Sequence, residues 1–140
     1  MPYPEMLIAP MRGEMTAMGA KELKTAADVD DAVRNTKGTL MLVVNSVCGC
    51  AAGKARPGIA MAMRHPKRPD VLATVFAGAD VEATDRARGY FTNHAPSSPS
   101  VGILRDGKLV YMLERRDIES RSAEMIAAEL TQAFERLSSG

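Results

Sequence analysis

The chain has 140 residues, of which 46% are hydrophobic and 25% charged, a size and composition typical of one globular domain over residues 1–140. Its 18 lysine and arginine residues nearly balance 17 aspartate and glutamate residues, so the net charge of +1 does not favour a nucleic-acid or anionic-membrane partner. The N-terminus shows no signal-peptide pattern and no run approaches about 20 apolar residues, so we expect a cytoplasmic protein that does not enter a membrane.

The first predicted elements are two helices separated by a short strand. Methionines at helical spacing predict an amphipathic helix that begins at Pro10 and ends at Gly19. A short strand over residues 22–24 follows. Thr25, with an aspartate three residues later, then resembles a capping box that opens a helix ending near Asn35.

The middle of the chain alternates between strand and helix. Residues 39–45 form a continuous apolar run with adjacent valines, the pattern of a strand buried on both faces. Residues 51–64 are rich in alanine and methionine and predict a helix, which Pro57 should kink because proline has no N–H to donate. Residues 71–77 predict a second buried strand.

The remaining elements are a helix, a hairpin and a closing helix. Asp80 is suited to cap a helix that runs to about Phe91, with Glu82 and Arg86 expected to pair on its exposed face. The dipeptide at 106–107, Asp-Gly, joins two apolar runs and predicts an antiparallel hairpin. Ser122 is suited to cap a last helix with an apolar stripe composed of Ile126, Leu130, Ala133, Phe134 and Leu137. Together these elements predict an α/β fold, a mixed sheet with helices on both faces.

The two cysteines, Cys48 and Cys50, are separated only by Gly49 and follow the first buried strand. A cysteine at the carboxyl end of a strand, where a helix begins, has its thiolate stabilised by backbone N–H groups, which lowers its pKa. Cys48 is therefore the candidate nucleophile for thiol–disulfide chemistry. Cys50 is the candidate resolving cysteine, and the tight ring of a Cys-x-Cys disulfide predicts a relatively oxidising couple.

Gly49 has two expected roles between the cysteines. It removes side-chain bulk, so a mixed-disulfide substrate can approach, and it permits backbone angles that other residues resist. Two alternatives to catalysis remain open for the pair. The cysteines can be buried and inert, or they can bind copper, zinc or an iron–sulfur cluster with ligands from elsewhere.

The order of motifs along the chain resembles the thioredoxin fold and, more narrowly, the bacilliredoxin family. The segments that carry the resemblance are 45–53 (NSVCGCAAG), 75–78 (VFAG), 97–100 (SSPS), 105–108 (RDGK) and 119–122 (ESRS). The likeness extends over almost the whole chain, including residues 9–12 (APMR) near the start, where an added N-terminal helix is expected. That helix either packs on its own chain or builds a homodimer.

The resemblance implies a thiol–disulfide oxidoreductase that removes bacillithiol, a low-molecular-weight thiol, from modified protein cysteines. Cys48 would form the mixed disulfide, and Cys50 would either resolve it or provide an internal disulfide; exchange or isomerase activity is also implied. The expected partners are S-bacillithiolated client proteins, bacillithiol as co-substrate and a reductase system, with no tightly bound cofactor. A non-catalytic thioredoxin-like interaction module is the other class of function that this fold allows.

The resemblance also implies a substrate-facing loop. Pro99 is expected to be a cis-proline opposite Cys48, with Ser98 and Ser100 beside the substrate. Lys54 and Arg56 are close enough in sequence to bind a carboxylate-bearing thiol, although basic residues more often form a solvated helix face. We assign Arg115, Arg116 and Arg121 to the surface for the same reason; they are grouped near the predicted last helix.

Overall fold

The computed structural model describes residues 3–138, which form one mixed β-sheet with helices on both faces. The strands are β1 (Lys21–Glu22), β2 (Thr39–Asn45), β3 (Val71–Phe76), β4 (Ser100–Arg105) and β5 (Lys108–Leu113). The α-helices are α1 (Glu5–Ala17), α2 (Ala26–Asn35), α3 (Arg56–Ala62), α4 (Val81–Tyr90), α5 (Arg115–Glu119) and α6 (Ala123–Ser138). A π-helical turn (Ala51–Ala55) leads into α3.

The strand order is β1-β3-β2-β4-β5, with β1, β3 and β2 parallel and the last two strands antiparallel to their neighbours. Val44, near the end of β2, pairs with Ser100 at the start of β4. The loops after β2 and β3, the loop before β4 and the segment after β5 therefore all lie at one edge of the sheet. The predicted α/β class and mixed sheet are confirmed.

Strand β2 separates two apolar cores because its alternate side chains point to opposite faces. Met41 and Val43 pack in the core with α3 and α6, whereas Leu42 and Val44 pack in the core with α2 and α4. Every residue of β2 is buried, as the continuous apolar run predicted.

Several local predictions are confirmed. Thr25 and Asp28 form the reciprocal hydrogen bonds of a capping box at the start of α2. Asp106 and Gly107 have φ values of 52° and 77°, the left-handed backbone that a two-residue hairpin turn requires. The Ser122 hydroxyl accepts a hydrogen bond from the Met125 N–H at 3.1 Å, and the predicted stripe of α6 faces the core.

The first helix begins earlier than predicted. Helix α1 starts at Glu5, and Pro10 lies inside it instead of at its first turn. Its buried face is formed by Ile8, Arg12 and Met15, at helical spacing, and Pro10 is on the exposed side. The packing of this face outweighs the hydrogen bond that the proline cannot donate.

The predicted polar contacts of α4 are wrong in their partners. Asp80 precedes the helix, but its side chain makes no cap; its oxygens accept hydrogen bonds from Arg12 at 2.7 and 2.9 Å. Glu82 and Arg86 do not pair with each other. Glu82 accepts a hydrogen bond from the backbone N–H of Ala26, and Arg86 lies 3.7 Å from Asp30. In each case a neighbouring helix provides the partner, which helix spacing alone does not reveal.

The predicted irregularity near Pro57 takes the form of a π-helical turn. The Arg56 N–H donates to the carbonyl of Ala51, five residues earlier, and Pro57 then occupies the first turn of α3, where a missing N–H costs little. The helical segment also ends at Ala62, before the predicted residue 64. Helix α5 was not predicted.

Candidate active site

Cys48 lies between β2 and the first helical residues, the strand-to-helix position that the sequence predicted. Gly49 and Cys50 are already helical, and the Cys48 carbonyl accepts hydrogen bonds from the N–H groups of Ala51 and Ala52 at 3.0 and 3.2 Å. Both cysteines are free thiols and are partly exposed. Cys50 packs against the core that contains α3 and α6.

The surroundings of Cys48 favour its thiolate. Burial raises the pKa of Cys48, but hydrogen bonds from the Ser46 hydroxyl and from the N–H groups of Ala51 and Cys50 outweigh burial, and the charge of Arg115 acts in the same direction. The pKa of Cys48 is therefore below its ordinary value. A lower pKa increases the fraction of nucleophilic thiolate at neutral pH.

A buried polar network holds Ser46 next to Cys48. The Ser46 hydroxyl accepts a hydrogen bond from the Cys48 N–H at 3.2 Å, and the Ser46 N–H donates to Asn45 Oδ1 at 2.9 Å. Arg56 Nη1 donates to Asn45 Oδ1 at 2.9 Å and to the Ser46 carbonyl at 3.0 Å. Its Nε is 3.2 Å from Glu14 Oε1, within ion-pair distance but without hydrogen-bond geometry.

Arg56 lies in neither of the environments expected for it, whereas Lys54 lies on a partly exposed helical turn. Arg56 is only 2% exposed, so it is neither a solvated helix residue nor open to substrate. The Lys54 ammonium donates to the Glu119 carbonyl at the end of α5. Both cations therefore hold parts of the fold around Cys48.

A cavity of about 340 Å³ opens beside Cys48. Loops at the common sheet edge, the N-terminal segment and two helices provide its walls. The lining residues are Tyr3, Ser46, Val47, Cys48, Ala77, Gly78, Arg88, Ser98 and Arg115. A larger cavity of about 540 Å³ lies nearby, but no cysteine lines it; its walls are residues 93–97 and 114–116 and Glu119. We therefore place the candidate site in the smaller cavity.

The loop before β4 faces this cavity through Ser98. The Ser98–Pro99 peptide bond is cis, and Pro99 is buried. Ser100 is 1% exposed and its hydroxyl donates to the Ser97 carbonyl at 3.0 Å, so it has an internal partner. Of the two serines expected beside the substrate, Ser98 lines the cavity and Ser100 is enclosed in the sheet.

One of the two reasons given for Gly49 is wrong. Its backbone does not adopt a left-handed conformation, so glycine is not needed for its φ angle. A Cβ built at this position would meet nothing within 4 Å, which leaves open space between the cysteines and their surroundings. The other expected role of Gly49, leaving space beside the cysteines, agrees with the structure.

Arg115 is the main residue that the sequence analysis missed, because it was assigned to the surface. Helix α5 brings it into the cavity, where its N–H donates to Ser97 Oγ at 3.2 Å and its Nη1 donates to the Ser98 carbonyl at 3.3 Å. The signal for α5 was Glu114 followed three residues later by Asp117, whose carboxylate accepts from the Glu114 N–H at 2.9 Å. Ser46, Tyr3 and Arg88 have no comparable signal in the sequence.

The described residues contain neither a cluster of metal-ligating side chains nor a helix suited to span a membrane. Within residues 3–138, no group of three or more histidine, cysteine, aspartate or glutamate side chains is arranged to hold a metal ion. None of the helices in the described residues has the length and apolar character to cross a membrane.

Comparison with protein families gives a match over the whole described chain. The sequence profile of the family described as disulphide isomerase matches residues 3–138. A bacilliredoxin of Koribacter versatilis is 63% identical over 134 residues, covering 96% of this chain and 92% of the relative. A bacilliredoxin of Cytophaga hutchinsonii is 49% identical over 135 residues, covering 96% and 99%.

Solved structures with the same fold are more distant in sequence. Fasciola hepatica thioredoxin has a TM-score of 0.56 and 21% identity, covering 81% of this chain and 98% of its own. Schistosoma mansoni thioredoxin has a TM-score of 0.56 and 14% identity, covering 83% and 95%. The chain therefore belongs to the bacilliredoxin family and is a thiol–disulfide oxidoreductase with a thioredoxin fold.

Proposed function

We propose that the protein removes bacillithiol from S-bacillithiolated protein cysteines. The Cys48 thiolate attacks the bacillithiol sulfur of the client mixed disulfide, a new disulfide forms between Cys48 and bacillithiol, and the client sulfur leaves as a thiolate that takes up a proton. The step exchanges one disulfide for another, so it needs no external electron donor.

The observation that carries this proposal is the environment of Cys48. Polar contacts from the Ser46 hydroxyl and from the backbone N–H groups of Ala51 and Cys50 lower the pKa of its thiol, and Cys48 lines an open cavity. A stabilised thiolate with access to solvent is the form that attacks disulfides. The open space at Gly49 gives a client chain room to approach, and the loop containing Ser98 and Pro99 is the proposed surface against which an extended client segment lies.

Bacillithiol itself is supported by the relatives, which are named bacilliredoxins. In this proposal it is a co-substrate, and no tightly bound cofactor takes part. A second bacillithiol thiolate then attacks the adduct on Cys48, giving bacillithiol disulfide and the free Cys48 thiolate. A separate reductase system is proposed to return the bacillithiol disulfide to two thiols.

Cys50 offers a second way to clear the adduct. Its thiolate would attack Cys48 Sγ, release bacillithiol as a thiol and leave a Cys48–Cys50 disulfide, which a dithiol must later reduce. Equilibration of the wild-type protein with mixtures of reduced and oxidised glutathione measures this couple. We expect it to be more oxidising than thioredoxin, and a potential as low as thioredoxin's would contradict the proposed couple.

The decisive experiment uses the Cys50→Ala variant and a purified protein bearing one bacillithiol mixed disulfide. Intact mass spectrometry should show loss of bacillithiol from the client and gain of the same mass on the variant, localised to Cys48 by peptide mapping. Cys48→Ala is the matched control and should leave the client unchanged. An unmodified Cys48 together with an unchanged client would sink the proposal.

A further inference from the structure

Two arginines hold the loop that faces Cys48 and also line the same cavity. Arg115 Nη1 donates to the Ser98 carbonyl at 3.3 Å, and Arg88 Nη2 donates to the Ser97 carbonyl at 3.4 Å. They come from different helices, α5 and α4, and converge on consecutive carbonyls of one loop. The cavity beside the nucleophile therefore has two guanidinium groups in its wall.

The positive charge of this cavity is not neutralised by its own wall. Among the described residues that line it, none is an aspartate or glutamate. Arg88 forms no ion pair within residues 3–138, and its Nε is buried without a hydrogen-bond partner there. Arg115 lies 3.5 Å from Glu119, but both side chains are almost half exposed, and such pairs contribute little.

We propose that Arg88 and Arg115 form a carboxylate-binding subsite that selects anionic low-molecular-weight thiols for exchange at Cys48. Guanidinium groups suit this role because their N–H donors match the two oxygens of a carboxylate. The volume of about 340 Å³ is in the range of small-ligand sites. The subsite rests on the proposed function and deepens it, because bacillithiol carries carboxylates and would place them beside the arginines when its sulfur meets Cys48.

In this proposal Arg88 and Arg115 take the substrate-binding role that was expected of Lys54 and Arg56. Neither Lys54 nor Arg56 lines the cavity, whereas Arg88 and Arg115 lie on its wall. Arg115 also stabilises the Cys48 thiolate through its charge. A test of binding must therefore separate recognition of the reagent from a change in the reactive fraction of the thiol.

Comparing the rates of Cys48 with an anionic and an uncharged disulfide reagent separates recognition from thiol reactivity. Reduced Cys50→Ala protein is mixed with dithiobis-nitrobenzoate, which carries carboxylates, or with uncharged dithiodipyridine. In both reactions Cys48 attacks one sulfur and an aromatic thiolate leaves, and stopped-flow absorbance measures the rate. A change in the thiolate fraction alters both rates alike, so the ratio of anionic to uncharged rates reports recognition of the carboxylates.

The chain provides a neighbouring control for each arginine. Arg88→Met is compared with Arg86→Met on α4, and Arg115→Met with Arg116→Met on α5. The control side chains are 52% and 82% exposed and do not line the cavity. Each pair removes the same charge from the same helix, so a fall in the rate ratio confined to Arg88→Met or Arg115→Met is not an effect of net charge.

We expect the rate ratio to fall about three- to tenfold in Arg88→Met and in Arg115→Met, the range for one charge-assisted contact that solvent reaches. The control variants should keep the ratio of the parent, and Arg88→Lys and Arg115→Lys should recover part of it. Added salt should lower the ratio in the parent more than in the double methionine variant.

An unchanged ratio in both methionine variants, or an equal fall in their controls, would overturn the subsite. Circular dichroism establishes that each variant is folded, and the lysine variants give the same comparison if a methionine variant is not. The reagents contain no bacillithiol, so this result is independent of the client experiment. A subsite without client turnover would refute the proposed function alone, and client turnover with an unchanged ratio would refute the subsite alone.

Discussion

Ser46 and Cys48 are linked through the Ser46 hydroxyl, which accepts a hydrogen bond from the Cys48 N–H at 3.2 Å and also lowers the pKa of the Cys48 thiol. The hydroxyl thus fixes the backbone of the nucleophile and stabilises its negative charge. Asn45 and Arg56 in turn hold Ser46, both through its backbone. Reactivity at Cys48 therefore depends on residues that do not touch the cavity.

Replacement of Ser46 by alanine should raise the pKa of Cys48, since the thiolate loses a donor while the burial that opposes it remains. The thiolate is the reactive form, so the rate of alkylation rises with pH through this pKa. The rise should occur at higher pH in Ser46→Ala, with a several-fold loss of rate at neutral pH and a similar rate at high pH. Iodoacetamide alkylation in the Cys50→Ala background measures the profile, Ser120→Ala is the control, and coincident profiles would contradict the role of Ser46.

Replacement of Arg56 by methionine should lower the free energy of unfolding by about 2–4 kcal/mol, because the buried Ser46 carbonyl loses its Arg56 donor and Asn45 Oδ1 keeps only the Ser46 N–H. Urea unfolding followed by circular dichroism measures the change. The exposed Arg64 just beyond α3 provides the control, and Arg64→Met should change stability by less than about 0.5 kcal/mol. Equal effects of the two substitutions would show that the buried network contributes no stability.

Replacement of Asp80 by alanine should lower the free energy of unfolding by about 2–3 kcal/mol, since Arg12 loses a partner that is as buried as itself and keeps only the exposed Glu5. Helix α1 should also become more sensitive to limited proteolysis, because Asp80 fastens it to the start of α4. Asp85→Ala removes an exposed carboxylate of the same helix and serves as control. Unchanged stability and unchanged proteolysis of Asp80→Ala would contradict a stabilising role for the Arg12–Asp80 ion pair.

Two glycine substitutions should have opposite effects. A Cβ at Gly58 would lie 2.8 Å from Ile126 Cγ2 and 3.0 Å from the Ala123 carbonyl, so Gly58→Ala must separate α3 from α6 and should cost about 1–3 kcal/mol. A Cβ at Gly13 in α1 would meet nothing within 4 Å, and Gly13→Ala should add about 0.5–1 kcal/mol through helix propensity. Thermal unfolding of both variants tests the pair; a stabilised Gly58→Ala would contradict the close packing.

The sequence was a good guide where a signal is local. The apolar run of β2, the capping box at Thr25 and the Asp106–Gly107 turn each depend on neighbouring residues, and all were predicted correctly. Hydrogen-bond and ion-pair partners that are distant in sequence could not be predicted from such local signals. Asp80 has the residue type and position of a helix cap, yet a cation 68 residues away takes its carboxylate.

The candidate site shows the same division. The strand-to-helix position of Cys48 was predictable because that pattern is local, and the cis bond before Pro99 was expected from the family resemblance. Arg115 was missed because its approach to Cys48 depends on how α5 follows the hairpin, and Arg56 was misplaced because a charged residue near a cysteine in sequence can still be buried. Basic residues close to Cys48 in sequence were therefore poor candidates for its cavity, whereas Arg115, distant in sequence, lines it.

Gly78 holds Tyr3, close to the N-terminus, in the wall of the cavity beside Cys48. Its carbonyl accepts a hydrogen bond from the Tyr3 N–H at 3.3 Å, and a Cβ at this left-handed position would lie 2.6 Å from Tyr3 Cε2. The tyrosine therefore rests on the glycine while it borders the cavity of Cys48. An N-terminal fusion tag would be joined within two residues of this tyrosine, so assays of this enzyme are best made with the tag at the other end or removed.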